Sequence, residues 1–418
     1  MRARPSGRRS GSKGRWPVLF CGVDWASDHH DICLVAEDGA VRWRGRIAHD
    51  PAGIERLREA IAAQEVDPGE VCVGVETSHG LLVGALVEAG YVVYPINPKA
   101  AERFRDRRKP AGGKHDRLDA EVLAQAVRTD RASLRALLPD SPLANEIATL
   151  ARDRHALVRE HTRLLNQLRS ALGEYFPAAL VAFDLAADSS LAFLGRYPTP
   201  EAAAKLSAFQ IAGFLRARRA NRDLAAKAAA AKEAFRAPAL RARPEIARAK
   251  ARLVRVVCAQ LATLRPELSA YEHELERLLK THPEGDLFRS LPGLGVILAS
   301  RVLAGTGDNP ERFRSAAGLC AYAGTAPILL QSGKRAVVKA RAACPKEFRD
   351  AVQQWADQAH RRSAWAAEFY RRHRKRGHNH NESLRALGNR LLELLFDLRR
   401  RGLRYDEAVH AANIRWAA

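Results

Sequence analysis

The chain has 418 residues, of which 47% are hydrophobic, and carries 69 Lys and Arg against 47 Asp and Glu, a formal charge of +22. It is long enough for two or three domains with separate cores, and its excess positive charge is self-repelling unless a polyanion offsets it, which points to nucleic acid and leaves a ribosome-associated or generally basic protein as the bland alternative. Its six cysteines (21, 33, 72, 258, 320 and 344) form no CxxC pair, which argues against a zinc ribbon and a disulfide framework; with no signal peptide and no apolar run able to span a bilayer, the expectation is a cytoplasmic protein without a membrane partner.

Residues 1–16 (MRARPSGRRSGSKGRW) hold six Lys or Arg among Gly, Ser and Pro and read as a disordered basic arm. From 17 to 137 strand and helix signals alternate. VLFCGV (18–23) is a short buried strand, and 32–47 reads as two strands joined at Asp38-Gly39, a strong hairpin turn. A helix over 51–64 opens with Pro51 in its first turn. VCVGV (71–75) is a buried strand, followed by a helix over about 79–89, the strand YVVYPI (91–96) and a helix over 116–128. Three consecutive antiparallel strands followed by crossover units predict a mixed sheet with helices on its faces, the order of an RNase H-like fold.

Residues 138–282 are mostly helical and rich in Ala, Arg and Leu. RHALVREHTRLLNQLRSALGEYF (154–176) lines its leucines on one stripe, and PTP (198–200) breaks the pattern. Long helices paired as a hairpin are the natural arrangement, with a basic surface that suits a nucleic-acid backbone or is simply solvated. Residues 283–418 form a further unit of glycine-marked turns and helices. Arg371, Arg372, Arg374, Lys375 and Arg376 read as a basic loop that contacts the nucleic-acid backbone. AGGK (111–114) lacks the upstream glycine and the following Ser or Thr of a Walker A motif, so ATP-driven chemistry is not indicated.

Asp24 follows the first strand in GVDWAS and Glu76 follows the fourth in GVETS. If those strands are parallel neighbours, both carboxylates reach the carboxyl end of the sheet, where open sheets bind ligands. Asp116 and Asp119 are three apart on one predicted helix and share a face. Four carboxylates brought together need a cation, and hard oxygen ligands suit Mg²⁺ or Mn²⁺, two of which could clamp the attacking and leaving oxygens of a phosphodiester. Asp28, Asp31 and Asp106 compete for these places, and His29, His30 and His115 flank the cluster. Taken singly, an acid after a strand is often a helix cap and an Asp pair on a helix is usually a solvated face.

The run GVDWAS, DICLVAEDG, GVETSHG, YVVYPINPKAAERF, KHDRLDAEVLA resembles the RuvC-like domain of the DEDD transposases of the insertion-sequence-110 class, the bridge-RNA-guided recombinases. RHALVREHTRLLNQLRSAL resembles that family's coiled coil, and LPGLGVILASRVLAGTGD (291–308), FRSAAGLCAYAGTAP (313–327) and QSGK (331–334) resemble its C-terminal transposase domain. The resemblance implies an α/β plus α protein with a basic arm at 1–16, a RuvC/RNase H-like domain at 17–137, a helical coiled-coil region at 138–282 and a transposase domain at 283–418. It places the acidic tetrad at Asp24, Glu76, Asp116 and Asp119 and the serine nucleophile at Ser332. It further implies donor and target double-stranded DNA, a guide RNA encoded by the mobile element, and a homo-oligomer (dimer or tetramer in synapsis) with a composite site. Lys114-His115-Asp116 departs from the family's frequent Lys-Thr-Asp run, and Asp28-His29-His30 is unusual after Asp24.

On residue chemistry alone QSGK is ordinarily a surface turn. As a site, a serine alkoxide would conserve the phosphodiester energy in a protein–DNA ester, with Lys334 or Lys339 offsetting phosphate charge and Gly333 allowing close approach. Ser300, Ser315 and Ser363 are the alternatives. LPGLG resembles a helix-hairpin-helix turn in which Gly293 and Gly295 would offer backbone N–H groups to a phosphate; a packing connector is the competing reading. His378 and His380 lack the spacing of an HNH nuclease. A RuvC-like hydrolytic nuclease or junction resolvase, needing the acids but not the serine, and a non-catalytic nucleic-acid-binding protein stand as the other functions.

Overall fold

The computed structural model describes residues 18–108, 116–218, 223–238, 240–332, 335–339 and 341–410. The basic arm, Lys114, His115, Gly333 and Lys334 lie outside them. The chain divides into two compact units, Met1–Pro139 and Asp140–Ala418.

In the first unit β1 (Leu19–Trp25), β2 (His29–Val35) and β3 (Val41–Ala48) are followed by α1 (Pro51–Ala62), β4 (Val71–Val75), α2 (Leu81–Glu88), β5 (Val92–Pro95), α3 (Pro98–Arg108) and α4 (Asp116–Asp130). The sheet order is β3-β2-β1-β4-β5. β1 runs antiparallel to β2 and parallel to β4, as the strand order required. The Asp38-Gly39 turn forms where expected: Gly39 has φ +90°, and the Asp38 carboxylate accepts from Ala40 N at 2.8 Å. Two details differ from expectation. β2 starts at His29 rather than Ile32, because antiparallel pairing continues through the polar residues as far as Trp25↔His30. A helix not anticipated, α3, occupies 98–108, where high polarity hides the helical period.

Alternation along the strands separates the two faces of the sheet. Leu19, Cys21 and Val23 of β1 and Val71, Val73 and Val75 of β4 pack with Leu57 and Ile61 of α1 and Leu82 and Leu86 of α2. Phe20 of β1, Cys33 and Val35 of β2 and Cys72 of β4 pack on the other face with Ala101 of α3 and Leu123, Ala124 and Val127 of α4.

The second unit begins with α5 (Pro142–Tyr175), whose cap Ser141 accepts from Ala144 N at 3.1 Å. Five shorter helices follow: α6 (Pro177–Ala182), α7 (Asp188–Arg196), α8 (Pro200–Ala204), α9 (Ala208–Arg216) and α10 (Leu224–Arg236). The 38-residue α11 (Pro244–Thr281) then returns along α5. The expected hairpin of long helices is present, with the short helices inserted at its tip. There Leu164, Leu168 and Leu172 of α5 share a core with Val254, Val257 and Leu261 of α11.

The remaining elements are α12 (Gly285–Ser290), α13 (Val296–Thr306), α14 (Ala316–Ala323), the β6 (Ile328–Ser332) and β7 (Arg335–Lys339) hairpin, α15 (Lys346–Ala359), α16 (Ala364–Lys375) and α17 (His380–Arg401). Ile147 and Ala151 of α5 and Leu275, Leu278 and Leu279 of α11 lie in the same core as Trp355 of α15 and Leu391 of α17, so the base of the long pair and the C-terminal elements are built around shared apolar contacts. The run Arg371–Lys375 is the last turns of α16, not a loop. Cations there complement the carbonyl end of the helix, and Arg371 also pairs with Glu368 at 3.0 Å.

Candidate active site

The last register pair of the parallel β1–β4 ladder is Val23↔Val75. Asp24 and Glu76 each follow one residue later, at the carboxyl end of the two central strands. By alternation Asp24 continues the row Phe20–Gly22 and Glu76 continues the row Cys72–Gly74, which is the face covered by α4.

Glycines bring α4 onto that face. Gly22 and Gly74 are register partners. A Cβ on Gly22 would lie 1.8 Å from the Ala120 carbonyl oxygen and 2.5 Å from Ala124 N, and one on Gly74 would lie 2.8 Å from the Leu123 carbonyl oxygen. The helix backbone therefore rests directly on the strands, as only glycine permits. Its first turn, which includes Asp116 and Asp119 in sequence, is thereby set at the carboxyl end of the strands that Asp24 and Glu76 follow.

Asp119 is buried, and its Oδ1 accepts from Arg105 Nε of α3 at 2.7 Å. Burial works to lower the Arg105 pKa, but the hydrogen bond and charge of Asp119, with the charges of Glu76 and Asp24, outweigh it and leave the guanidinium more basic than usual. Three of the four predicted acids thus act on one cation. Among the described residues no three His, Cys, Asp or Glu side chains stand close enough to hold a metal ion. The carboxylate of Asp116 is not among those described, and a guanidinium shares the neighbourhood of the other three.

Of the competing residues, Asp31, Asp28 and His30 are engaged with other partners. Asp31, opposite Asp24 in the β1–β2 ladder, takes two hydrogen bonds from Arg46, at 3.0 and 2.6 Å. Asp28 meets His29 Nδ1 at 2.8 Å, a contact that lowers its carboxyl pKa. Asp106 is exposed. His30 is fully buried and lies 2.8 Å, Nε2 to Nδ1, from His49. Burial, then the charges of His49 and His29, pushes its pKa down to about 4, against a smaller opposing pull from Asp28. His30 is therefore a core imidazole at neutral pH.

In the second unit Ser332 ends β6 and pairs with Arg335 across a two-residue connection. The sequence had suggested a bare turn; the structure makes it the tip of a hairpin whose Leu329 and Val337 are exposed. Lys339, at the end of β7, is exposed.

Comparison with known proteins places both regions. A family model for DEDD transposases, described as "Transposase", matches residues 21–177, and one described as "Transposase IS116/IS110/IS902 family" matches 285–371. The "Mini-circle putative transposase for IS117" of Streptomyces coelicolor is 35% identical over 396 residues, 93% of this chain and 96% of the relative. The chain belongs to the IS110 family of DNA transposases. The "Insertion element IS900 uncharacterized 42 kDa protein" of Mycobacterium paratuberculosis is similar over 94% of this chain and 98% of its own length, at 29% identity.

The three alternative serines of the transposase have structural roles. Ser300 is buried and its Oγ donates to the Val296 carbonyl at 2.9 Å. Ser315 caps α14 by accepting from Gly318 N at 3.1 Å. Ser363 donates to Glu407 at 2.8 Å.

The two glycines of the LPGLG turn differ. Gly293 has φ +82°, and a Cβ there would lie 2.7 Å from Ala359 N, so α15 packs on its backbone. Gly295 caps α13 and faces open space. The adjoining cavity, about 480 Å³, has lining residues of both signs, Glu272, Glu276 and Asp357 beside Arg362, and the three acids are paired with Arg154, Lys280 and Arg361.

Reading the sequence missed Arg105 and the glycine pair. The pair does have a sequence signal: Gly-Val-Asp (22–24) and Gly-Val-Glu (74–76) repeat one pattern on two strands. Arg105 has none, being one of several arginines on a polar helix.

Proposed function

We propose that this transposase cuts and rejoins DNA by metal-assisted transesterification, with Asp24, Glu76, Asp116 and Asp119 holding Mg²⁺ or Mn²⁺ and Ser332 as the nucleophile. The observation that carries the acidic half is that Asp24 and Glu76 follow register partners at the carboxyl end of the parallel β1–β4 pair, while α4, laid on the glycines of those strands, brings buried Asp119 there. The sheet order, with α4 laid across the two central strands, supports reading the first unit as RuvC/RNase H-like.

The donor set fits a hard divalent cation. It consists of carboxylate oxygens alone, and neighbouring carboxylates stay ionised only beside a cation. Such a cation, when bound, polarises the phosphate and stabilises charge on the attacking and leaving oxygens. The protein's part is to fix the carboxylates on stiff elements, two at strand ends and two on a helix held at backbone contact.

Ser332 Oγ bonds to phosphorus as one bond from phosphorus to a deoxyribose oxygen breaks. That oxygen leaves as a hydroxyl, taking up a proton in place of the one the serine gives up. The ester keeps the bond energy, so rejoining by a second DNA hydroxyl consumes no nucleoside triphosphate. The engagement of Ser300, Ser315 and Ser363 supports the choice of Ser332. Lys334 and Lys339 would offset phosphate charge, and Gly295, which faces open space, would touch the DNA backbone, whereas Gly293 is taken up by packing against α15.

The family resemblance extends this reading to a guide RNA that pairs with donor and target DNA, and to a dimer or tetramer in synapsis. Exposed Arg248, Arg252 and Arg255 of α11, spaced to form one strip, support a polyanion on the helical region.

The test replaces Asp24, Glu76, Asp116 and Asp119 singly by their amides. Protein expressed with its flanking element DNA is given Mg²⁺ and donor and target DNA. Loss of several kcal/mol of charge stabilisation, about a thousandfold in cleavage rate, is expected with binding retained. Undiminished cleavage by Glu76→Gln and Asp119→Asn overturns the assignment.

A further inference from the structure

Arg105 is a charged group inside an acidic site, which an enzyme binding only a cation there does not obviously need. Its Nε is 2.7 Å from Asp119 Oδ1, and Asp119 is buried while the arginine remains about one-third exposed. It sits on α3, an element separate from those that carry the acids. Among the described residues no three potential ligands stand close enough to share a metal ion.

We infer that Arg105 is a resident counter-cation of the acidic site: its guanidinium neutralises Asp119 and its neighbours while no divalent ion is bound, and it must give up Asp119 when one enters. The inference rests on the metal-site reading above. The physical argument is charge balance. A buried carboxylate without a partner is costly, so the site needs a positive charge during the metal-free part of its cycle. The same charge repels an arriving divalent ion and holds a ligand oxygen, so it weakens metal binding by competition. An arginine that already reaches water with about a third of its side chain can surrender the contact cheaply, because water solvates the freed head group. Arg105 is thus a positioning residue: it keeps the carboxylates gathered and limits metal occupancy.

The competing account is a simple brace between α3 and α4. The two differ in sign. Removal of a brace loosens the site and weakens metal binding, whereas removal of a competing charge strengthens it. Mn²⁺ binding to the full-length protein, followed by calorimetry, separates them. Arg105→Gln should bind Mn²⁺ about tenfold more tightly than wild type, the size of one repelling charge at close range in a wet site. Its metal-free form should melt lower than wild type and recover more on adding Mn²⁺. Arg105→Lys, which keeps the charge, should stay near the wild-type affinity.

Unchanged or weaker Mn²⁺ binding by a folded Arg105→Gln protein overturns the inference and leaves the metal reading standing. No Mn²⁺ binding by any of the three overturns the metal reading as well. Wild-type protein offers an independent check should Arg105→Gln not fold. In ¹⁵N-arginine-labelled protein the Arg105 Nε–H signal, assigned by its loss in Arg105→Lys, should move to the free-arginine position as Mg²⁺ is added. A signal that stays put at saturating Mg²⁺ contradicts the exchange.

Discussion

A Cβ atom placed on Gly22 would lie 1.8 Å from the carbonyl oxygen of Ala120. That approach sets how α4, and with it Asp116 and Asp119, meets the strand that carries Asp24. Gly22→Ala cannot be relieved by a rotamer, because the obstacle is helix backbone. It should lower stability by about 1–3 kcal/mol, the usual cost of overpacking, measured by urea unfolding, and should reduce DNA cleavage far more than that loss of fold explains. Gly84→Ala, where nothing lies within 4 Å of the added atom, is the control. Equal activity of the two variants would contradict this account of how α4 is set.

The serines separate by role. Ser315→Ala removes a helix cap and should cost about 1 kcal/mol. Ser363→Ala leaves Glu407 short of one donor and should cost about 1–3 kcal/mol. Both should cleave DNA at near wild-type rates under conditions where they are folded. A variant of either that folds normally but fails to cleave would move the nucleophile away from Ser332.

His30 makes stability depend on pH. Its folded pKa is about 4, against roughly 6.5 for an unfolded histidine. Between those values the unfolded chain binds a proton that the fold excludes, so the contribution is complete above about pH 6.5 and is lost as pH falls towards 4. Melting temperatures across pH 4–7 should fall with acid in wild type and fall less steeply in His30→Gln. Parallel curves for the two proteins would show that His30 is not a source of the acid lability.

The strip Arg248, Arg252 and Arg255 predicts a salt signature. Each phosphate contact contributes about 0.9 to the slope of log affinity against log salt for duplex DNA and about 0.7 for a single strand. Replacing all three by Ala should flatten that slope by about 2–3 for the nucleic acid that the helical region holds. A lower affinity with an unchanged slope would mean that the strip does not contact phosphates.

Much of the site was legible in the sequence because its chemistry sits at element boundaries. Asp24 and Glu76 end apolar strand runs, so their common sheet end followed once β1 and β4 were parallel neighbours; where the helix of Asp116 and Asp119 packs depends on Gly22 and Gly74, which strand order does not reveal. The helix α3 was not legible, since Pro98–Arg108 has few apolar residues to mark a period, and Arg105 was hidden with it. The β6–β7 hairpin was missed because Gln-Ser-Gly-Lys reads as a turn while the flanking Ile-Leu-Leu and Ala-Val-Val are too short to declare strands. The basic run at the end of α16 was read as a loop because charge density, not backbone pattern, dominated it. Charge near a helix C-terminus favours helix rather than breaking it.

The most direct measurement is a search for a covalent protein–DNA adduct. Wild-type protein and Ser332→Ala, each expressed with the flanking element DNA, are incubated with Mg²⁺ and with donor and target DNA, then separated on denaturing gels. The account predicts a DNA-linked protein band from wild type and none from Ser332→Ala, with binding retained by both. Cleavage of equal extent in both proteins, without any adduct, would contradict it and make this transposase a hydrolytic nuclease in its cutting step.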